Sequence, residues 1–370
     1  MTMQHRADFG TRTLGRQLQR TWALAVFLSF LGAAGGARAE DPGFPAPTGD
    51  TSVLPAGAKL DRVFDGACRL TEGVATSPDG IVYFSDITFT NVCKDPSGKY
   101  SQAGNIWKYD PKTKQATIFR SPSGMSNGMK FDAEGNLIIA EGADFGGRML
   151  VKTDMKTGKS YILTGLYNDR PYNALNDLTI DEKGRIYFTD PRYLGWEPVN
   201  QPVQAVYRLD PDGKVTRLIT DAGKPNGVQV SPDQKTLYVL AHDNGAFEFL
   251  PQGETSQKGL MACLAYDLSP EGTVGNRRIL INWLPNDGGD GMTVDADGDL
   301  YIAVRSEAAP GVYIYTPQGK ELAYISTGKE LPTNVAFGYG DDGNLLYLAS
   351  GKSLYTIRLA KKGWHLAATH

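Results

Sequence analysis

The chain is poor in the residues from which many hydrolytic and metal centres are built. Its 370 residues include only four histidines and three cysteines. His5 lies near one end and His365 and His370 near the other, which leaves His242 alone in the body of the sequence. A His/Cys zinc site and a histidine-served nucleophile are both disfavoured. No apolar run reaches the roughly 18 residues that a membrane-crossing helix needs. No long amphipathic helical pattern is visible either. The formal net charge of −3 shows no basic excess, which argues against nucleic acid and anionic membranes as partners.

Positive charge gathers only at the start. Arg6, Arg12, Arg16 and Arg20 precede an apolar stretch from Trp22 to Ala34, followed by Ala37-Arg38-Ala39. This is the pattern of a secretory signal peptide, residues 1–39, cleaved after about Ala39. An uncleaved membrane anchor is the alternative, and the apolar stretch is short for it. The expected location is periplasmic or secreted, with no membrane partner after cleavage. Export implies an oxidising compartment. Cys68 and Cys93 could then bridge across the first repeat described below, or all three thiols could be free; spacing does not choose.

Turn residues are plentiful, with 43 Gly and 21 Pro. Residues 40–57 are rich in Pro, Gly and Ala and read as a linker. From there a strand–turn–strand unit recurs six times. It opens at Glu72, Asn127, Asn176, Asn226, Asp290 and Asn334. Apolar residues alternate after each leader, as in Met129 and Phe131 or Met292 and Val294, which marks a strand. A turn glycine follows in four copies (Gly80, Gly135, Gly184 and Gly298), and then a second strand such as Leu300 to Val304. Further strand pairs lie between copies, such as Ala205 to Leu209 and Val215 to Ile219. Four strands per period of about 50 residues is the content of a propeller blade. The expectation is an all-β, six-bladed β-propeller over 58–360 with a tail at 361–370. A sandwich or barrel would not explain a whole-unit period. The strand near Lys59 to Phe64 is expected to complete the last blade and close the ring.

In such a ring the six leaders converge at one mouth of the tunnel. The ends of the second strands (Asp86, Glu141, Asp190, His242 and Arg305) are expected around them. The leaders are two carboxylates and four amides, all oxygen donors, which suits a hard cation such as Ca²⁺. Asn-Gly is also a common turn dipeptide, so Asn127-Gly128 and Asn226-Gly227 could be plain turns. Glu72 and Asp290 fit that alternative poorly.

Leu70-Thr71-Glu72-Gly73, Asn176-Asp177, Lys224-Pro225-Asn226-Gly227 and Asp290-Gly291-Met292, in this order, resemble the senescence marker protein / gluconolactonase / luciferin-regenerating enzyme family. Tyr187 to Tyr193 is similar to its bacterial gluconolactonase branch. The resemblance implies a six-bladed propeller with one catalytic divalent cation, usually Ca²⁺, with Zn²⁺, Mn²⁺ or Mg²⁺ as other candidates. It implies a small-molecule lactone or ester as substrate. Residue by residue, it implies Glu72, Asn176, Asn226 and Asp290 as metal ligands. Asn127 and Asn173 would sit beside the substrate, and Arg192 and Tyr193 in the pocket wall. The family's animal branch has Arg two residues before the Asn176 position; here Ala174 stands there, which bears on the sugar recognised. Asp290 is the candidate general base, or a ligand only. Organophosphate hydrolysis on the same metal, and a non-enzymatic ligand-binding propeller, are the competing functions.

Overall fold

The computed structural model describes residues 43–245 and 257–367. The expected signal peptide lies outside the described residues. Six antiparallel sheets of four or five strands make a six-bladed propeller. Blade 1 runs from its inner strand Leu70–Thr76 to its outer strand Gln115–Arg120, and blade 2 from Ser126–Phe131 to Ser160–Thr164. Blade 3 runs from Leu178–Ile180 to Val215–Ile219, and blade 4 from Pro225–Val230 to Val274–Asn282. Blade 5 starts at Gly289–Val294 and blade 6 at Pro332–Phe337. Asp61–Asp65 pairs antiparallel with Ser353–Arg358 and forms the outer strand of blade 6, so a strand that precedes the first blade closes the ring.

The alternating residues of the inner three strands place apolar side chains on both sheet faces, because each blade is covered on both sides by its neighbours. There are six buried hydrophobic clusters, one for each interface between adjacent blades. Between blades 2 and 3, for example, Ile138 and Ala140 meet Leu178, Phe188 and Tyr207. Outer strands are wetter; Ser160–Thr164 has no fully buried residue.

Two segments outside the repeats are packed onto the blades. The described part of the linker is docked: Thr48–Gly49 pairs with Glu321–Ser326 as a fifth strand of blade 5, and Val53 and Leu54 are buried. Phe44, Val53 and Leu54 pack into the groove between blades 5 and 6. The tail also packs. Trp364 lies against the cluster between blades 4 and 5, and Leu366 against that between blades 2 and 3. Cys68 and Cys93 form a disulfide with a Cα–Cα distance of 6.1 Å, and Cys263 is a buried free thiol.

Candidate active site

The leader positions are irregular points in the ladders. In blades 1, 2, 4, 5 and 6 the pairing register between first and second strands slips at the leader: between Glu72 and Val74, Ser126 and Met129, Pro225 and Val228, Gly289 and Met292, Pro332 and Asn334. A bulge re-aims a side chain that a regular strand would send into the blade interface. Asn127 and Asn226 therefore lie within strands, so the plain-turn reading of their Asn-Gly pairs does not hold.

The glycine that follows four of the leaders serves convergence. A Cβ built on Gly73 would stand 1.8 Å from Asn127 O, on Gly128 2.2 Å from Asp177 Oδ1, and on Gly227 2.6 Å from Asp290 O. In blades 1, 2, 4 and 5 this glycine makes room for the leader region of the next blade. Neighbouring hydroxyls hold the leaders' carbonyls: Ser85 Oγ donates to Asn127 O at 2.8 Å, and Thr189 Oγ1 to Asn226 O at 2.8 Å.

Five leaders line one cavity of about 280 Å³: Glu72, Asn127, Asn176, Asn226 and Asp290. All five are nine-tenths or more buried. The sixth, Asn334, is not among the lining residues. Its Oδ1 accepts from its own Val335 N–H at 2.8 Å, and its side chain occupies the space beside Gly291. The expected ring of six is thus a ring of five.

Of the strand ends, His242 and Arg305 reach the cavity, while Asp86, Glu141 and Asp190 do not. Asp86 accepts from Cys68 N and Asn105 Nδ2, and Asp190 from the backbone N–H of Asn173 and Ala174. Orphan backbone groups of the top loops claim these carboxylates. Tyr193 does line the cavity; its hydroxyl donates to His242 O at 3.0 Å and accepts from Asn226 Nδ2 at 3.2 Å.

Asn173 and Arg192, expected at the substrate and in the pocket wall, are fully buried away from the cavity. Arg192 donates to the carbonyls of Asn173, Gly195 and Glu197. Asn173 Oδ1 accepts from Asn200 N and Gln201 N. Both hold the loop 191–201 in shape; motif position alone does not show which way a buried guanidinium turns.

Arg305 is the site residue whose role the sequence did not disclose. Its Nη1 lies 3.2 Å from Asp290 Oδ2. Ending a second strand placed it at the mouth, but the pairing is between side chains of adjacent strands in a bulged ladder. Burial pushes the Glu72 carboxyl well above the usual range, and the nearby Asp290 adds to that. Burial also raises Asp290, against the opposing pull of Arg305 and His242. Two carboxylates so placed disfavour joint ionisation unless a cation joins them.

Among the described residues, no three His, Cys, Asp or Glu side chains cluster as a metal site. The oxygen set here is mixed, two carboxylates and three amides. Asn127 Oδ1 is buried without a hydrogen-bond partner. A buried unpaired oxygen beside two mutually destabilised carboxylates fits a hard cation or a polarised substrate.

One Gly-x-Ser-x-Gly string is present, Gly124-Met125-Ser126-Asn127-Gly128. It is no nucleophile elbow. Ser126 starts an inner strand, is fully buried and accepts from Ser85 Oγ at 3.0 Å. The two described histidines bond elsewhere, to Gly289 O and Gly338 O.

The family model described as SMP-30/Gluconolactonase/LRE-like region matches residues 70–352. A gluconolactonase of Zymomonas mobilis is 30% identical over 251 residues, 65% of this chain and 64% of that protein. The chain thus spans just under two thirds of that relative. A pentonolactonase of Haloferax volcanii is 28% identical, covering 79% of this chain and 84% of that one. A solved gluconolactonase from Xanthomonas campestris superposes with a TM-score of 0.69 at 23% identity, over 87% of this chain and 99% of that one, and shares the fold.

Proposed function

This chain belongs to the SMP-30/Gluconolactonase/LRE-like family, and from that premise we propose that it is an exported, divalent-cation-dependent lactone hydrolase. The observation that carries the reading is the pairing of Glu72 and Asp290, from blades 1 and 5, with three amides in one buried cavity. Glu72, Asn176, Asn226 and Asp290 would hold the cation, with Ca²⁺ the best match to an all-oxygen set. When bound, such an ion polarises an ester carbonyl and stabilises developing negative charge.

The chain's own groups supply the rest. Asp290 takes the proton from the attacking water, its Oδ2 already held by Arg305. Loss of that proton to Asp290 is favoured by the same burial that raises its affinity for one. Arg305 then keeps the carboxyl oriented for return of the proton to the leaving alkoxide. Asn127, with its buried unpaired Oδ1, positions a polar group of the substrate. Tyr193, tied to Asn226 and His242, walls the cavity and orients the Asn226 amide.

The test is a panel of lactones and carboxylic or phosphate esters, with and without chelator, repeated on Glu72→Gln. Lactone hydrolysis that chelator abolishes and Ca²⁺ restores is expected. Saturating Ca²⁺, at about 100 times its Kd, should also stabilise the wild type by about 2.7 kcal/mol, and Glu72→Gln should lose that gain. Activity that survives both chelator and Glu72→Gln would remove the metal.

A further inference from the structure

The cavity is chemically two-sided. Blades 4 and 5 present Asn226, His242, Asp290 and Arg305. Blades 1 to 3 present, above their leaders, Leu70, Ile87, Phe89, Met125, Leu175 and Leu194. Apart from the leaders Glu72, Asn127 and Asn176 themselves, the polar groups on that second side are spent. The Asp144 carboxylate accepts from Thr90 N at 2.7 Å and Thr90 Oγ1 at 2.6 Å. Arg192 and Asn173 are turned into the loop behind it. Ala174 has no donor to offer.

The apolar side continues outward. Met125 lines both the cavity and an adjoining groove, whose other walls include Ala103, Phe145 and Trp196. Phe145 and Trp196 are 72% and 56% exposed. Both are held in place. Phe145 has a left-handed φ of +64° and its N–H donates to Glu197 Oε1 at 2.7 Å. The Trp196 indole N–H donates to Thr90 Oγ1 at 3.3 Å. The groove's Lys94 is committed to Thr90 O and Ser101 Oγ. A bulky residue kept at positive φ, with its ring in water, requires compensation from its surroundings.

We propose that the substrate is a lactone bearing an apolar arm, alkyl or aryl, which runs from the cavity over Met125 onto Phe145 and Trp196. This deepens the lactonase reading and rests on it. The ester group faces the polar side, where oxygen donors and Arg305 converge. The arm buries carbon surface on the other side, which is where binding free energy comes from. The hydroxyls of a polyhydroxylated ring that lie beyond reach of those leaders would face Leu and Ile side chains with no partner.

The experiment compares kcat/KM for δ-valerolactone, δ-decalactone, dihydrocoumarin and glucono-δ-lactone on the full-length mature protein with its disulfide intact. δ-Decalactone and dihydrocoumarin are expected to exceed δ-valerolactone by about tenfold or more, with glucono-δ-lactone lowest. Phe145→Ala and Trp196→Ala, both exposed and tolerant of truncation, should each reduce the decalactone-to-valerolactone ratio several-fold. Preference for glucono-δ-lactone, or an unchanged ratio in both variants, overturns the proposal. If none of the four is hydrolysed, the lactonase reading fails. The arm is then decided by fluorescence titration with 2-pentylcyclopentanone against cyclopentanone, ketones that water does not open. Tighter binding of the pentyl compound that Phe145→Ala abolishes supports the proposal, and equal binding overturns it.

Discussion

At the upper mouth the inner strands present Glu72, Asn127, Asn176, Asn226 and Asp290; at the lower end, a few residues later, they pass Thr76, Lys130, Thr179, Gln229 and Thr293. The same repeated element builds both rings, and both leave buried oxygens unpaired: Asn127 Oδ1 above, Thr76 Oγ1 and Gln229 Oε1 below. The lower cavity is smaller, about 80 Å³ against 280 Å³, and Trp364, His365 and Leu366 of the tail form part of its wall. Its charged residues are Lys130 and Asp132, and Asp132 is paired with Lys152 at 2.8 Å. Lys130 opposes any cation there. Repetition thus supplies two polar rings, and two further properties separate site from plug: two buried carboxylates facing a single guanidinium, and, among the described residues, a wall without the tail segment that lines the lower cavity.

The sharpest way to break this contrast is Asp290→Asn. It should cut kcat by roughly 10²–10⁴-fold as an essential base is lost, whereas Gln229→Leu at the lower ring should leave turnover at the wild-type level. Steady-state kinetics on the preferred lactone decide it. If Asp290→Asn kept both full turnover and metal affinity, the base role would be wrong.

Next in size is the Cys68–Cys93 bridge, which closes a loop across the upper rim only, with a sequence separation of 25. Replacing both cysteines with serine should cost about 2–4 kcal/mol in denaturant unfolding under non-reducing conditions. KM should rise more than kcat falls, because the closed loop carries Phe89 to the cavity wall.

Trp364→Ala probes the lower end. A half-buried indole lost from the tail should cost roughly 2 kcal/mol with kcat/KM unchanged. A parallel loss of activity would show that the two ends are coupled.

The effect confined to a pH window is at the upper rim. Burial raises Glu141 from the ordinary carboxylate range to about 7, with Arg120 at 3.9 Å opposing. The folded state therefore holds this proton after the unfolded chain has lost it. Its contribution falls as pH rises from the ordinary range to about 7. Glu141→Gln should flatten that decline, so its Tm relative to wild type should be higher at pH 8 than at pH 5.

Much of the architecture was legible before any coordinates. Strand character needs no tertiary information, because alternation on a half-buried strand, or a short apolar run on one buried on both faces, is written locally, and six copies at similar intervals leave few folds. Val215 to Ile219 and Leu300 to Val304 were read with their observed limits. The convergence of Glu72 and Asp290 also followed, since equivalent positions of a ring must meet at its axis. The docking of the linker and tail was not legible, because composition does not report what a segment binds, and Val53, Leu54 and Trp364 find grooves made by distant blades.

What the sequence by itself determined is which residue types stand at the start of each inner strand, and hence the oxygen chemistry of the mouth. What only the tertiary structure decided is which of them face it. Asn334 turns back on its own strand, Arg192 and Asn173 turn into a loop, and Arg305 turns in to meet Asp290. The physical reason is that a side chain's direction here is set by its hydrogen-bond partners and by the space that neighbouring blades and loops leave for it. Both are fixed only once the chain has folded, and no local pattern carries them.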